Sequence, residues 1–387
     1  MASIIIGADF IPTKTNESLF KSGEIEKLFG TELLSLLKDA SLRVFNLELP
    51  LTRKKAPIKK CGPTLIGDPD TLESYNAISV DLLTLANNHI MDQGENGLFD
   101  TIELLEKNHI RYIGAGKDLK SARETRVFEL YDNKKIGFYA CVEHEFSFAS
   151  ESTPGANPYD PLESFDHVSA LAAECDFLIV LYHGGKEYYR YPSPQLQKIC
   201  RKFIEKGADL VVTQHSHCIG CKESYADGTI VYGQGNFLFD SANSNEFWQT
   251  GLLIKIEMSS FDIRFIPIIK KNNTVRLAKG RKAEEILSDF EKRSDMIKKQ
   301  NMIENEYKEF ALKSIDNYLL AAHGVGTKNI FFRILNKCTR RKLQKHMTKR
   351  TYKQEEILKL QNYVECEAHR ELFLLGLKAL LNDERNN

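Results

Sequence analysis

Polar residues interrupt the hydrophobic positions of this chain in two rhythms, and both change after about residue 270. Short apolar runs rich in Val, Ile and Leu recur as SIIIGAD, RVFNLE, VDLLTLANNH, DFLIVLYHGG and DLVVTQHSH. Such runs have the length and composition of strands buried on both faces. Between them lie stretches with helical spacing, near Glu24–Lys38, Pro69–Asn76, Glu95–Lys107 and Ser193–Lys206. Asp68 followed by Pro69 is a helix-start signal. A short strand is expected at Arg111–Gly114 and a hairpin from Arg126–Tyr131 and Lys135–Cys141, turning at Asp132-Asn133. A long Pro-containing loop, Glu143–Ser164, breaks the alternation. Further strands are expected at Thr229–Tyr232, Gly251–Met258 and Asp262–Ile269.

Alternation followed by a strand-rich tail predicts an α/β fold with two sheets face to face and helices outside. Beyond Gly280 the pattern is helical. The expected organisation is therefore residues 1–275 as an α/β domain and 276–387 as a helical C-terminal region.

Each of the five apolar runs ends in residues that can hold a metal: Asp9, Glu48, Asn88 with His89, His183, and His215 with His217. In open α/β sheets, ligands bind in the crevice beyond the carboxyl ends of the strands. Five such ends predict one convergent metal centre. Its carboxylate, amide and imidazole donors suit one or two divalent ions such as Mn²⁺, Zn²⁺ or Fe²⁺ and disfavour thiolate chemistry. A pair of ions sharing a carboxylate would activate water and clamp a displacement at phosphorus. His89, beside Asn88, would then act as an acid. Asp92 either orients a histidine or only serves its own turn, and Glu187 is a candidate for proton transfer or substrate contact.

Composition alters this reading little. The 387 residues are 42 % hydrophobic and 27 % charged, with a formal net charge of zero. Bulk charge therefore points to no nucleic-acid or polyanion partner, and recognition must be local. The eight cysteines are scattered through apolar patterns, as expected of reduced thiols in a cytoplasmic protein. Cys218 and Cys221 lack a second Cys/His pair and read as core packing. No signal peptide or membrane-spanning run is apparent.

Two local charge features stand out. The loop Arg53–Pro63 carries Arg53, Lys54, Lys55, Lys59 and Lys60 beyond the Glu48 strand. Lys59 and Lys60 are candidate contacts for an anionic small-molecule or polymer substrate, against the alternative of a solvated loop. The segment Arg333–Lys353 carries nine Lys/Arg and no Asp/Glu, which suits weak membrane-surface contact or a plain solvated helix face. Nucleic acid is not expected as a partner. Asn236, within YGQGNFLFD, reads as a tight turn near the site or a substrate contact. Tyr188, Tyr189 and Tyr191 either rim the site for a sugar or peptide or pack against the long loop.

The series GADFIPT, NLELPLT, ANNHIMDQGENGLFDT, YHGGKEYYRYP, ADLVVTQHSH and YGQGNFLFD resembles the motifs of the CapA family, bacterial proteins of capsule and poly-γ-glutamate synthesis. That family is similar in turn to the calcineurin-like metallophosphoesterases. The resemblance covers roughly residues 3 to 270 and implies a four-layer αββα fold. It implies Asp9, Glu48, Asn88, His183, His215 and His217 as ligands and His89 as acid. Two positions depart from the metallophosphoesterase pattern: Ile11 stands where a ligand His is usual, and Glu48 where an Asp is usual. Mononuclear and binuclear occupancy both stay open. The implied function is a metal-dependent hydrolase in capsule, exopolysaccharide or poly-γ-glutamate biosynthesis, working with capsule-synthesis machinery. The alternative is a non-catalytic accessory protein on a degenerate scaffold.

Overall fold

A computed structural model describes residues 2–130, 133–239, 245–324, 330–339 and 341–382. In chain order the strands are β1 (Ser3–Asp9), β2 (Leu42–Asn46), β3 (Leu82–Thr84), β4 (Arg111–Ile113), β5 (Ala115–Gly116), β6 (Arg126–Glu129), β7 (Lys135–Val142) and β8 (Gly155–Ala156). They continue as β9 (Phe177–His183), β10 (Leu210–Gln214), β11 (Ile219–Tyr225), β12 (Gly228–Gln234), β13 (Thr250–Glu257), β14 (Ile263–Lys271) and β15 (Thr274–Leu277). One sheet has the order β15-β14-β13-β1-β2-β3-β4 and the other β11-β12-β10-β9-β7-β6. Both centres are parallel: β1 to β4 in the first, and β7, β9, β10 and β12 in the second. Antiparallel strands close the flanks.

The side-chain period of two assigns neighbouring residues to different layers. Phe138, Ile179, Leu181 and Val212 of the second sheet join Ile4, Val44, Leu83 and Ile254 of the first in one buried cluster. Their sequence neighbours Tyr139, Val180, Tyr182 and Val211 face outward, against Ile199, Cys200 and Phe203 of the helix Pro194–Glu205. That helix starts where expected, with Ser193 Oγ accepting from Leu196 N at 3.0 Å and Pro194 in the first turn. The helices Ile25–Asp39 and Gly94–Lys107 cover the first sheet with Leu28, Leu33, Leu37, Leu98 and Leu105. The result is the expected four-layer αββα sandwich.

The expected hairpin forms as β6 and β7, although Tyr131 and Asp132 lie outside the described residues. The β11 strand is an addition to the expected set, and it buries Cys221, while Cys218 is buried just before it. The compact unit also runs further than the boundary expected near residue 275. It ends at Glu304, because the helix Gly280–Met296 packs Ile286 and Phe290 against Ile219 and Leu252 of the sheets. The second unit, Asn305–Asn387, is helical in its described residues, including Gln354–Glu365 and Glu367–Asn382.

Candidate metal centre

Parallel strands within each sheet bring their carboxyl ends to one edge, and the candidate residues lie there. Asp9 ends β1, and Glu48 follows β2 by two residues. Asn88 and His89 follow β3, His183 ends β9, and His215 and His217 follow β10. Glu48 is fully buried, 0 % exposed, and stands at the middle. Its Oε1 lies 3.3 Å from His183 Nε2, which is 3.1 Å from Asn88 Oδ1. Ligand atoms of Glu48, His183 and His215 lie within 4.8 Å of one another, and so do those of Asp9, Glu48 and His217. Glu48 thus belongs to both groups. Glu187, half-buried, forms a third group with His215 and His217.

The backbone is bent to achieve this. His215 and His217 have φ of 108° and 52°, unusual for residues with a Cβ. Held strain of this kind is stored at functional sites and maintained by the surrounding fold. It turns both imidazoles to the same centre, with their rings 6.1 Å apart.

Partners fix the orientation of several candidate ligands. Asp9 Oδ1 accepts from Asn46 Nδ2 at 2.7 Å, and Asn46 Oδ1 accepts from Asn87 Nδ2 at 3.1 Å. His217 Nδ1 donates to Asn236 Oδ1 at 2.8 Å and lies 3.3 Å from Asp9 Oδ2, which orients the ring. His89 Nδ1 lies 2.6 Å from Asp92 Oδ2, so Asp92 orients a histidine and, through Leu65 N at 2.6 Å, also serves the loop.

Charge balance follows from burial and neighbours. Burial alone would raise the Glu48 carboxyl, but the His217 and His183 imidazoles outweigh it and hold the group below its usual range. Burial would lower His217, yet Glu48 and Asp9 raise it to about 10. His215 is pushed well below its usual value by burial, with His183 and His217 adding repulsion.

These residues fit a cation. Among the described residues, Glu48 Oε1 and Oε2, His183 Nδ1, His215 Nδ1 and Asn236 Nδ2 are buried without a hydrogen-bond partner. Buried polar atoms are nearly always paired, so a buried carboxylate with no hydrogen bond and only His183 Nε2 at 3.3 Å beside it fits a cation. Ile11, 1 % exposed, adds no donor to the Asp9 group.

The loop candidates are placed differently from one another. Lys60 is turned inward: its side chain, 1 % exposed, pairs with Asp92, and Nζ donates to Asn88 O at 3.3 Å. It also lies 3.1 Å from His89 Nδ1. Arg53 pairs with Asp70 and Lys54 with Asp100, which diminishes the loop as a polyanion cradle. Lys59 is exposed. Asn236 is buried against His217, as a positioning group.

Sequence reasoning missed Asn46, Asn87, Lys270, Trp248 and Glu143. Lys270 is buried within β14, its Nζ donating to Asn236 O at 2.8 Å and Thr250 O at 3.0 Å. Burial pulls its pKa down to about 7, against the opposing pull of Asp9. The Glu143 carboxyl is raised by burial near His183, partly offset by a hydrogen bond from the Gly185 backbone. The amides had a visible signal, being polar residues at strand ends. Lys270, inside a strand, had none.

A two-sheet αββα sandwich with a buried carboxylate–imidazole nest at its parallel strand ends defines the class of protein. The chain belongs to the family described as bacterial capsule synthesis protein PGA_cap, whose family model matches residues 4–241. It is 26 % identical to the capsule biosynthesis protein CapA of Bacillus anthracis over 231 residues, 56 % of each chain. It is 32 % identical to the PGA biosynthesis protein CapA of Bacillus subtilis over 162 residues, 41 % of this chain and 42 % of that one. A Mycobacterium tuberculosis protein described as a probable polyglutamine synthesis accessory protein is 29 % identical over 224 residues, 54 % and 59 % of the two chains. The matches thus span about half the length of these relatives. Among solved structures, a hypothetical protein from Thermus thermophilus aligns with 69 % of this chain and 98 % of its own, at TM-score 0.43 and 10 % identity. A 5'-nucleotidase from Candida albicans aligns over 75 % and 57 %, at TM-score 0.37 and 12 % identity. Overlaps this low carry no argument about chemistry.

Proposed function

We propose that this protein is a divalent-metal-dependent hydrolase of the capsule-synthesis type, acting on a phosphoester or polymer intermediate of capsule, exopolysaccharide or poly-γ-glutamate assembly. The observation that carries the reading is the Glu48 carboxylate, buried without a hydrogen bond and shared by two groups of candidate ligands. Family membership and the relatives' descriptions supply the biological setting.

Asn88, His183 and His215 would hold one ion with Glu48, and Asp9 and His217 a second. Ions there would supply positive charge to a phosphoryl group and make water more acidic. The protein's own groups do the rest. Asp92 on Nδ1 fixes the His89 ring and leaves Nε2 as the atom that delivers a proton to the leaving group. Lys60 neutralises Asp92, the carboxylate that holds the same ring. Glu187 faces the nest from the loop after β9 and is a proton acceptor at its mouth.

The test is metal content after purification, with phosphomonoesterase and phosphodiesterase assays on wild type, Glu48→Gln and His89→Ala. The expected result is bound divalent metal lost in Glu48→Gln, and activity reduced at least about a hundredfold in His89→Ala with metal retained. Metal-free wild-type protein that turns over no ester would overturn the reading. Ile11 favours a second reading, a polymer-binding accessory protein. Metal retention without turnover, together with capture of synthase components, would select it.

A further inference from the structure

The Met1–Glu304 unit exposes few large apolar side chains among its described residues: Phe99, Val127, Phe146, Leu162 and Tyr188. Two of these flank the nest. Phe146 lies under the Lys60 ammonium at 5.3 Å, and the Tyr188 ring centre is 6.0 Å from that of His217.

Tyr188 is held there at a cost. Its φ is +59°, and its backbone N–H donates to Ser216 O at 2.8 Å, on the turn between the two ligand histidines. The ring, 43 % exposed, runs parallel to Phe247, with 5° between planes and centres 6.5 Å apart. Trp248 lies 6.0 Å from Tyr188 and stacks on His217 at 5.4 Å and 18°. Arg190 backs Phe247 at 4.5 Å. Tyr188 is the exposed ring of the three, with Phe247 and Trp248 half-buried beside it. Packing alone would bury the Tyr188 ring, and orienting His217 already falls to Asn236.

We propose that Tyr188, Phe247 and Trp248 form a subsite that stacks on a flat ring, a nucleobase or a sugar, carried by the anionic group bound at the nest. The inference rests on the metal-centre reading and adds the class of leaving group to it. Apolar ring faces bind an aromatic plane or the hydrophobic face of a sugar, and they offer nothing to an extended acyclic carboxylate chain.

Trp248 is the sole tryptophan of the sequence, so its emission reports directly on the subsite. The full-length Zn²⁺-loaded protein is titrated with adenosine 5'-monophosphate, glucose 1-phosphate and glycerol 3-phosphate while that emission is followed, with calorimetry as a second readout. At least one ring-bearing ester is expected to bind about fivefold or more tightly than glycerol 3-phosphate. That advantage is expected to vanish in Tyr188→Leu with Phe247→Leu, while glycerol 3-phosphate affinity is unchanged. Comparison of the two ring-bearing arms separates base from sugar. Equal affinity for all three esters, or an advantage that survives the double substitution, overturns the ring subsite alone. Binding of none overturns the metal-centre reading, and the subsite with it.

Discussion

At the residue scale, two buried cations near the nest titrate in opposite senses. His217, raised from 6.5 to about 10, adds stability that is complete below pH 6.5 and lost as pH rises through 10. Lys270, lowered from 10.5 to about 7, does the reverse: the unfolded chain binds its proton more tightly, so stability rises with pH between 7 and 10.5. In metal-free protein the two slopes oppose each other. Lys270→Met removes one of them, so its melting temperature under chelation is expected to fall increasingly below wild type from pH 7 to 10. A constant offset measured by thermal melts would refute this. Lys60 gives a second prediction at this scale. Removing one partner of a buried ion pair strands the other charge, so Lys60→Met is expected to cost about 3–5 kcal/mol in denaturant unfolding. Lys59→Ala, an exposed change, should stay within about 0.5 kcal/mol.

At the element scale, β1 carries Asp9 and is sensitive to volume. A Cβ on Gly7 would collide with the Phe45 ring, which packs on Phe10 and Phe237. Gly7→Ala is therefore expected to destabilise by about 1–3 kcal/mol and to weaken metal binding, because the end of β1 shifts. Ser193→Ala removes a helix cap on the far side of the second sheet and is expected to cost about 1 kcal/mol with metal content unchanged. Calorimetric melts and metal analysis of both variants separate the two effects. Most of the elements were legible in the chain, since a strand buried on both faces must be apolar throughout and a helix start needs its cap. The β11 strand was not, because Ile219–Tyr225 has polar positions wherever it leaves the core.

At the scale of the whole molecule, the two compact units differ in how they treat apolar surface. Among the described residues, Asn305–Asn387 leaves a long series exposed, including Val364 at 63 %, Leu372 at 70 % and Leu381 at 68 %. Surface of that kind marks a contact site or an aggregation liability. No helix of the described residues is long and apolar enough to cross a membrane. Truncation after Glu304 is expected to leave the melting temperature and metal content of the first unit unchanged while abolishing binding of a hydrophobic dye such as ANS. A truncated protein that fails to melt cooperatively would show that the first unit depends on the second.

The sequence by itself determined which side chains could ligate and that their strands are buried on both faces, because both are properties of local composition and order. Asp9, Glu48, Asn88, His183, His215 and His217 stand out as candidates from strand ends alone. Only the tertiary structure decided their partners. It set Glu48 in both ligand groups, drew Lys60 inward to Asp92, assigned Asn236 to His217 and brought Lys270 beneath the nest. Such pairings depend on which strands become neighbours across two sheets, and contacts between residues far apart in the chain leave no trace in local pattern.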